Sequence, residues 1–188
     1  MPHKPPSQSS SPDALDVLAE DHKKIFKMFA EFQEMKKGSG SRDQDTKQDL
    51  VERACAKLTI HRQIEEEIFY PALRVGLDDA SILNEAEVEH EMAHWLIAEL
   101  ESMQPDDDLY DAKFTVLSEY VRHHIKEEEE KIFKKAKNSK LDLAQLGDEL
   151  RSRMEELYGE FGLPEKNAEA VQDAHRHGGA RRSSRERT

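Results

Sequence analysis

Four stretches of this chain repeat apolar residues in steps of three and four, and each breaks its stripe near mid-length with histidine. The first reads Leu15, Leu18, His22, Ile25, Phe29, Phe32. The second reads Val51, Ala54, Leu58, His61, Glu65, Ile68, Ala72. The third reads Leu83, Ala86, His90, Ala93, Ile97, Leu100, with His94 one step beside the seam. The fourth reads Tyr110, Phe114, Leu117, Val121, His124, Glu128, Ile132. Helices that bury these stripes must bury the imidazoles and carboxylates as well. Each costs roughly 1–3 kcal/mol if it finds no partner in a dry core. In antiparallel helices the mid-length interruptions meet at one level, and a cation at that level removes the cost.

Punctuation between the stripes is regular. Ser11-Pro12-Asp13 reads as a helix start with Ser as cap. Breaks follow at Gly38-Ser39-Gly40-Ser41, at Gly76 with Asp78-Asp79, at Pro105-Asp106-Asp107-Asp108 and at Asn138-Ser139. The helices implied run about 12–36, 45–75, 79–103, 107–137 and 141–158, and nothing between them alternates like a strand. The expected fold is all-α, an up-down-up-down four-helix bundle with a short fifth C-terminal helix. Residues 12–158 form the domain. A Pro/Ser-rich tail, 1–11, and a basic tail, 159–188, are expected to be disordered.

Composition narrows the class. At 188 residues there is room for one well-cored domain. A formal net charge of -12 opposes nucleic acid as the main partner, because phosphate demands a basic surface. Residues 164–188 are the exception, with Lys166, Arg176, Arg181, Arg182, Arg185 and Arg187 outnumbering their acids. Cys55 is the lone cysteine, so intramolecular disulfides and thiolate metal sites are excluded. No run approaches the length of a membrane span and the N-terminus does not read as a signal peptide, so a cytoplasmic setting is expected. No protein partner is assigned.

Residues four apart lie within about 40° of each other around a helix, so both can reach one metal site. His61/Glu65 and His90/His94 have that spacing. On the fourth helix His124 pairs with Glu128 on the stripe, or with Glu129, which points about 140° away unless a π-bulge intervenes. Glu128 is favoured, with Glu129 its rival. A single core histidine such as His22 is more often a hydrogen-bonded core residue, and runs such as Glu65-Glu66-Glu67 or Glu127–Glu130 are usually solvated faces. Each run needs one inward member. Their joint occurrence at one depth is what favours a metal. His123 lies beside the stripe, and Trp95, Tyr70 and Cys55 read as packing residues. The donor set of imidazole and carboxylate suits iron, and zinc and manganese also accept it. Counted against two six-coordinate irons, five histidines, two bridging glutamates and an oxo or hydroxo bridge leave a single vacant position.

The segments DHKKIFKMF, HRQIEEEIFYPAL, EHEMAHWLIAEL, LYDAKFTVLSEYVRHHIKEEEEKIF and LDLAQLGDEL resemble the hemerythrin-like HHE cation-binding proteins of bacteria. The resemblance covers about residues 13–158. It implies a four-helix bundle around two non-haem irons, oxo- or hydroxo-bridged. His22 and His61 would serve one iron, His90, His94 and His124 the other, and Glu65 and Glu128 would bridge. Similar bacterial chains often lack a histidine at the place of His94; if it turns away, two positions open. Neither the cysteine-bearing domain of the family's iron-centre repair proteins nor a transmembrane or signalling domain is expected from these residues, which weakens those two readings.

Three functions are therefore expected in order. The first is a binding protein for dioxygen or a related small ligand, in carriage, sensing or storage. The second is a di-iron enzyme acting on peroxide or nitric oxide. The third is an iron-responsive interaction module.

Overall fold

The computed structural model describes residues 11–37, 44–77 and 80–163. The described chain is helical throughout: α1 (Ala14–Lys37), α2 (Gln44–Ile64), a π turn (Glu65–Phe69), α3 (Tyr70–Gly76), α4 (Ser81–Glu101), α5 (Tyr110–Glu127), a second π turn (Glu128–Ile132), α6 (Phe133–Lys137) and α7 (Leu143–Glu160). Each π turn joins its two flanking helices into one unbroken rod, so four rods and α7 make the fold.

Helix α1 begins at Ala14, later than expected, because Asp13 and not Ser11 is the cap. Asp13 Oδ1 accepts from the backbone N–H of Leu15 at 2.9 Å and of Asp16 at 3.0 Å. Asp142 caps α7 in the same way, accepting from Gln145 N–H at 3.0 Å. The glycine-serine break at 38–41, the Asp78-Asp79 pair and both expected tails, apart from Ser11 and 159–163, lie outside the described residues.

The stripes pack as two apolar clusters stacked along the bundle. Leu15 and Leu18 meet Ile60, Ile64, Phe69, Leu83, Ile132 and Phe133 in one. Ile25, Phe29 and Phe32 meet Leu50, Val51, Ala54, Ile97, Tyr110 and Phe114 in the other. The early half of α1 thus sits with the late half of the second rod, and the late half with its start, which makes the two antiparallel. The same crossing relates α4 to α5. Between the clusters lies a single layer of buried polar side chains, and that layer is the site.

The fifth helix has the 18 residues expected of it but lies two residues later, from Leu143 to Glu160, and it buries Leu146, Leu150 and Leu157 against α1 and α2. Gly147 makes this possible. A Cβ there would lie 2.7 Å from the Asp13 carbonyl carbon and 2.8 Å from Ala14 N, so only glycine lets α7 approach the α1 N-terminus this closely.

The second stripe shifts where the first π turn intervenes. Ile68 and Ala72 are only partly buried, and Phe69 and Leu73 take the core positions. The turn is seen directly in the bond from Tyr70 N–H to the Glu65 carbonyl, five residues back. Phe133 N–H bonds the Glu128 carbonyl in the same way. The extra residue per turn rotates everything downstream, so Glu65 faces inward and the large Phe69 still reaches the core.

Candidate metal centre

His22 comes from α1, His61 from the end of α2, Glu65 from the first π turn, His90 from α4, His124 from the end of α5 and Glu128 from the second π turn. All six are buried, Glu65 completely. Their donor atoms fall into two groups that share Glu65: His22, His61, Glu65 and Glu128 in one, and Glu65, His90 and His124 in the other. Within each group the atoms lie no more than 4.8 Å apart.

The inner contacts are close and unsatisfied. His22 Nε2 stands 3.1 Å from His61 Nε2 and 3.2 Å from Glu128 Oε2. His90 Nε2 stands 3.1 Å from His124 Nε2. Glu65 places Oε1 3.1 Å from His61 Nε2 and Oε2 3.3 Å from His90 Nε2, yet neither oxygen has a well-directed hydrogen bond, nor does Glu128 Oε2. Three carboxylate oxygens facing four imidazole nitrogens need protons or a cation between them.

A second ring of carboxylates explains the orientation of the first. His61 Nδ1 lies 3.0 Å from Asp21 Oδ2, His90 Nδ1 3.0 Å from Glu66 Oε1, His124 Nδ1 2.7 Å from Glu89 Oε2 and His22 Nδ1 2.8 Å from Glu129 Oε1. Every outer carboxylate is a sequence neighbour of an inner donor: Asp21 of His22, Glu66 of Glu65, Glu89 of His90, Glu129 of Glu128. Each reaches a histidine on the next rod, so the pairs close into a ring around the bundle. With Nδ1–H given to a carboxylate, each Nε2 is the nitrogen that would turn a lone pair inward once its proton is displaced, which is the form a metal requires.

The inner field is strongly negative without a cation. Burial opposes charge on His61, but the Glu65 carboxylate and the Asp21 hydrogen bond outweigh it and push its pKa up to about 10. Burial likewise opposes charge on His90, and Glu65 and Glu66 together raise it to about 9. Burial would raise Glu65, but His61 and His90 hold it well below the usual carboxylate range. Protons on His61 and His90 thus stand where a cation would.

Sequence reasoning missed several partners. Lys57, buried on α2, donates to Asp21 and to the Tyr158 hydroxyl of α7, which ties the fifth helix to the His61 side of the site. Burial would raise Asp21, but His61 and Lys57 bring it down to about 2. Tyr70 is more than a packing residue. Its hydroxyl donates to Glu128 Oε1 at 3.3 Å and its ring stacks on His90 at 5.5 Å.

His94 is not brought into either group. It is exposed on α4 and lines a cavity of about 30 Å³ beside His90 and His124. The regular α4 helix carries it outward, since its place beside the stripe is not corrected by a π turn. The choice between Glu128 and Glu129 has a mixed outcome. The fourth rod does carry a π turn, but it begins at Glu128, keeps that residue inside and leaves Glu129 on the rim behind His22. His123 is exposed, as is Trp95, which does not pack in the core, whereas Cys55 is buried among apolar neighbours, with its thiol pushed up to about 12 by burial.

The donor chemistry fits metal binding. Four inward imidazole nitrogens, two buried carboxylates and no sulfur form a hard-to-borderline set that favours positive charge at its centre.

The profile described as Hemerythrin HHE cation binding domain matches residues 13–136, a segment that contains every donor above. The chain is 25% identical over 124 residues to a DNA nickase of Nostoc sp., an alignment covering 66% of this chain and 33% of that protein. It therefore spans about a third of that relative's length. Among solved structures, a Hemerythrin HHE cation binding domain-containing protein from Mycobacterium kansasii superposes with a TM-score of 0.67 at 22% identity, over 79% of this chain and 88% of that one. At that identity the likeness concerns the fold. With the family profile spanning most of the chain and the bundle matching, the protein belongs to the hemerythrin HHE cation-binding domain family.

Proposed function

We propose that the buried layer holds two iron ions and that the pair binds dioxygen or a related small ligand. His22, His61, Glu65 and Glu128 would hold one ion, and Glu65, His90 and His124 the other. Glu65 is the observation that carries this reading. A fully buried carboxylate divides its two oxygens between two histidine pairs, Oε1 3.1 Å from His61 Nε2 and Oε2 3.3 Å from His90 Nε2. Iron suits imidazole with carboxylate, and when bound it supplies reversible electron transfer and open positions for a small ligand.

The cavity beside His90 and His124 sets the size of that ligand. Its walls are mainly apolar, with Leu58, Ala93, Ile97 and Val121, and about 30 Å³ holds a water or a diatomic but no organic substrate. Anaerobic titration of Fe²⁺-loaded protein with oxygen tests the reading. An optical change that reverses when oxygen is removed supports binding, and irreversible bleaching opposes it.

One observation favours the enzymatic alternative, turnover of peroxide or nitric oxide at the same pair. With His94 outside the donor set, fewer positions are filled by protein than a saturated carrier would use. Peroxide consumption by the iron-loaded protein, absent in a Glu65→Ala variant, would move the assignment to that reading. The DNA-nickase likeness covers a third of that protein, and a net charge of -12 opposes phosphate binding. Among the described residues no helix is long and apolar enough to cross a membrane, and we assign the protein to the cytoplasm.

A further inference from the structure

A second, smaller opening leads to the layer from a different direction. It lies in the seam between α4 and the second π turn, holds about 10 Å³, and is lined by Glu85, Glu89, His124, Glu127 and Glu128 with a few apolar neighbours. That is the width of about one water. Glu85 and Glu89 are four apart on α4, as His123 and Glu127 are on α5, so two helical faces present donors across one seam. At the rim, Glu89, His123 and Glu127 each bring a donor atom within 4.8 Å of the others. At the floor stands Glu128, 1% exposed, with Oε2 unpartnered by any hydrogen bond.

We propose that this seam is the entrance for the metal: a peripheral cation site at Glu89, His123 and Glu127 that captures a divalent ion and passes it inward to His124 and Glu128. The inference rests on the inner layer being a metal centre, and adds where the ion arrives. The cavity beside His94 reaches His61, His90 and His124 too, but Glu89 is the one carboxylate lining it and Arg62 stands at its wall, so it offers a hydrated cation fewer oxygens than the seam. The acidic seam offers carboxylate oxygens at each depth, so an ion can exchange waters for protein donors stepwise without ever standing bare.

Lys131 gives the proposal a sign. Its ammonium lies 2.7 Å from Glu127 Oε1 and within the field of Glu85 and Glu89. A fixed positive charge at the rim occupies Glu127 and repels an arriving cation. Removing it should speed capture, whereas removing Glu127 or Glu85 should slow it.

Metal-free protein mixed with Co²⁺ in a stopped-flow spectrometer reports entry through the visible absorption of cobalt in the nitrogen-rich layer, and elemental analysis gives the final ratio. Glu127→Gln and Glu85→Gln should each slow loading about three- to tenfold at low salt, and Lys131→Gln should accelerate it by a similar factor. Glu34→Gln, at the distal end of α1, should change nothing. All four should reach the wild-type Co²⁺ ratio, because the inner donors are intact. Loading at the wild-type rate in Glu127→Gln and Lys131→Gln, with the ratio unchanged, overturns the entrance while leaving the inner centre standing. Failure of the wild type itself to take up Co²⁺ overturns both. Circular dichroism of each variant separates slow entry from misfolding, since these side chains are wholly or partly solvated.

Discussion

His61 Nδ1 lies 3.0 Å from Asp21 Oδ2, so the residue beside one inner histidine on α1 aims another on α2. Lys57 holds the other oxygen of Asp21. Asp21→Asn keeps the shape and removes the charge, and should weaken metal binding about 10- to 100-fold. It also leaves the Lys57 ammonium buried without its counter-ion, so stability should fall as well. Adding Lys57→Met should restore stability but not affinity, as measured by denaturant melts and chelator competition. Recovery of both together would mean that Asp21 serves packing alone.

Glu128 and Glu129 both touch His22, on opposite nitrogens. Glu128→Gln removes an inner donor and should hasten the loss of metal to a chelator. Glu129→Gln removes only the bond that orients His22 from the rim, where the side chain is 43% exposed, and should have a smaller effect above zero. Stripping rates measured side by side decide the order. Faster loss from the Glu129 variant would exchange their roles.

In the metal-free protein His61 and His90 have folded pKa values of about 10 and about 9 against an ordinary 6.5. Their contribution to stability is complete below pH 6.5 and is lost as pH rises through 9 to 10. Asp21, at about 2 against 3.8, contributes above pH 3.8 and loses that contribution as pH falls toward 2. Metal-free protein should therefore be most stable between about pH 4 and 6.5. Metal must displace the protons from both rings, so its affinity should rise with pH across the window in which the empty protein weakens. Melting curves with and without metal should diverge above pH 6.5. Parallel curves would show that no proton is exchanged.

His94→Ala should leave the metal content unchanged, because the side chain is exposed and outside both donor groups. It lines the small cavity, so the rate of ligand entry is the quantity it should alter. Loss of one metal per chain in this variant would return His94 to the donor set.

The bundle was legible because its signal repeats: each stripe holds its period for five or six turns, and only helices satisfy it. The inner histidines were legible because they replace hydrophobes on those stripes. The first π turn was not, since Glu65 sits on a regular stripe and the rotation shows only downstream, in the exchange of Ile68 for Phe69. The second had a rationale in the sequence only as a way to bring Glu129 inward, and it begins at Glu128 instead. The outer carboxylates hid inside the acidic runs. Read as solvated faces, Glu66 and Glu129 each aim a histidine on a neighbouring rod. Their signal was adjacency, an acid beside one inner donor on each rod that turns outward to meet the next helix. Lys57 lies four residues before His61, one turn along the same face, but that its charge is buried depends on Tyr158, a long-range contact with α7.

The metal-to-protein ratio tests the central claim most directly. Protein isolated without added chelator, or refilled anaerobically with Fe²⁺, should carry about two irons per chain, one for each donor group. Glu65→Ala, which removes the shared carboxylate, should lose most of that iron and keep its helical circular dichroism, because the two apolar clusters on either side still hold the bundle. A wild-type ratio of about one zinc and no iron, or a Glu65→Ala protein that keeps its full complement, would contradict a di-iron centre built around Glu65.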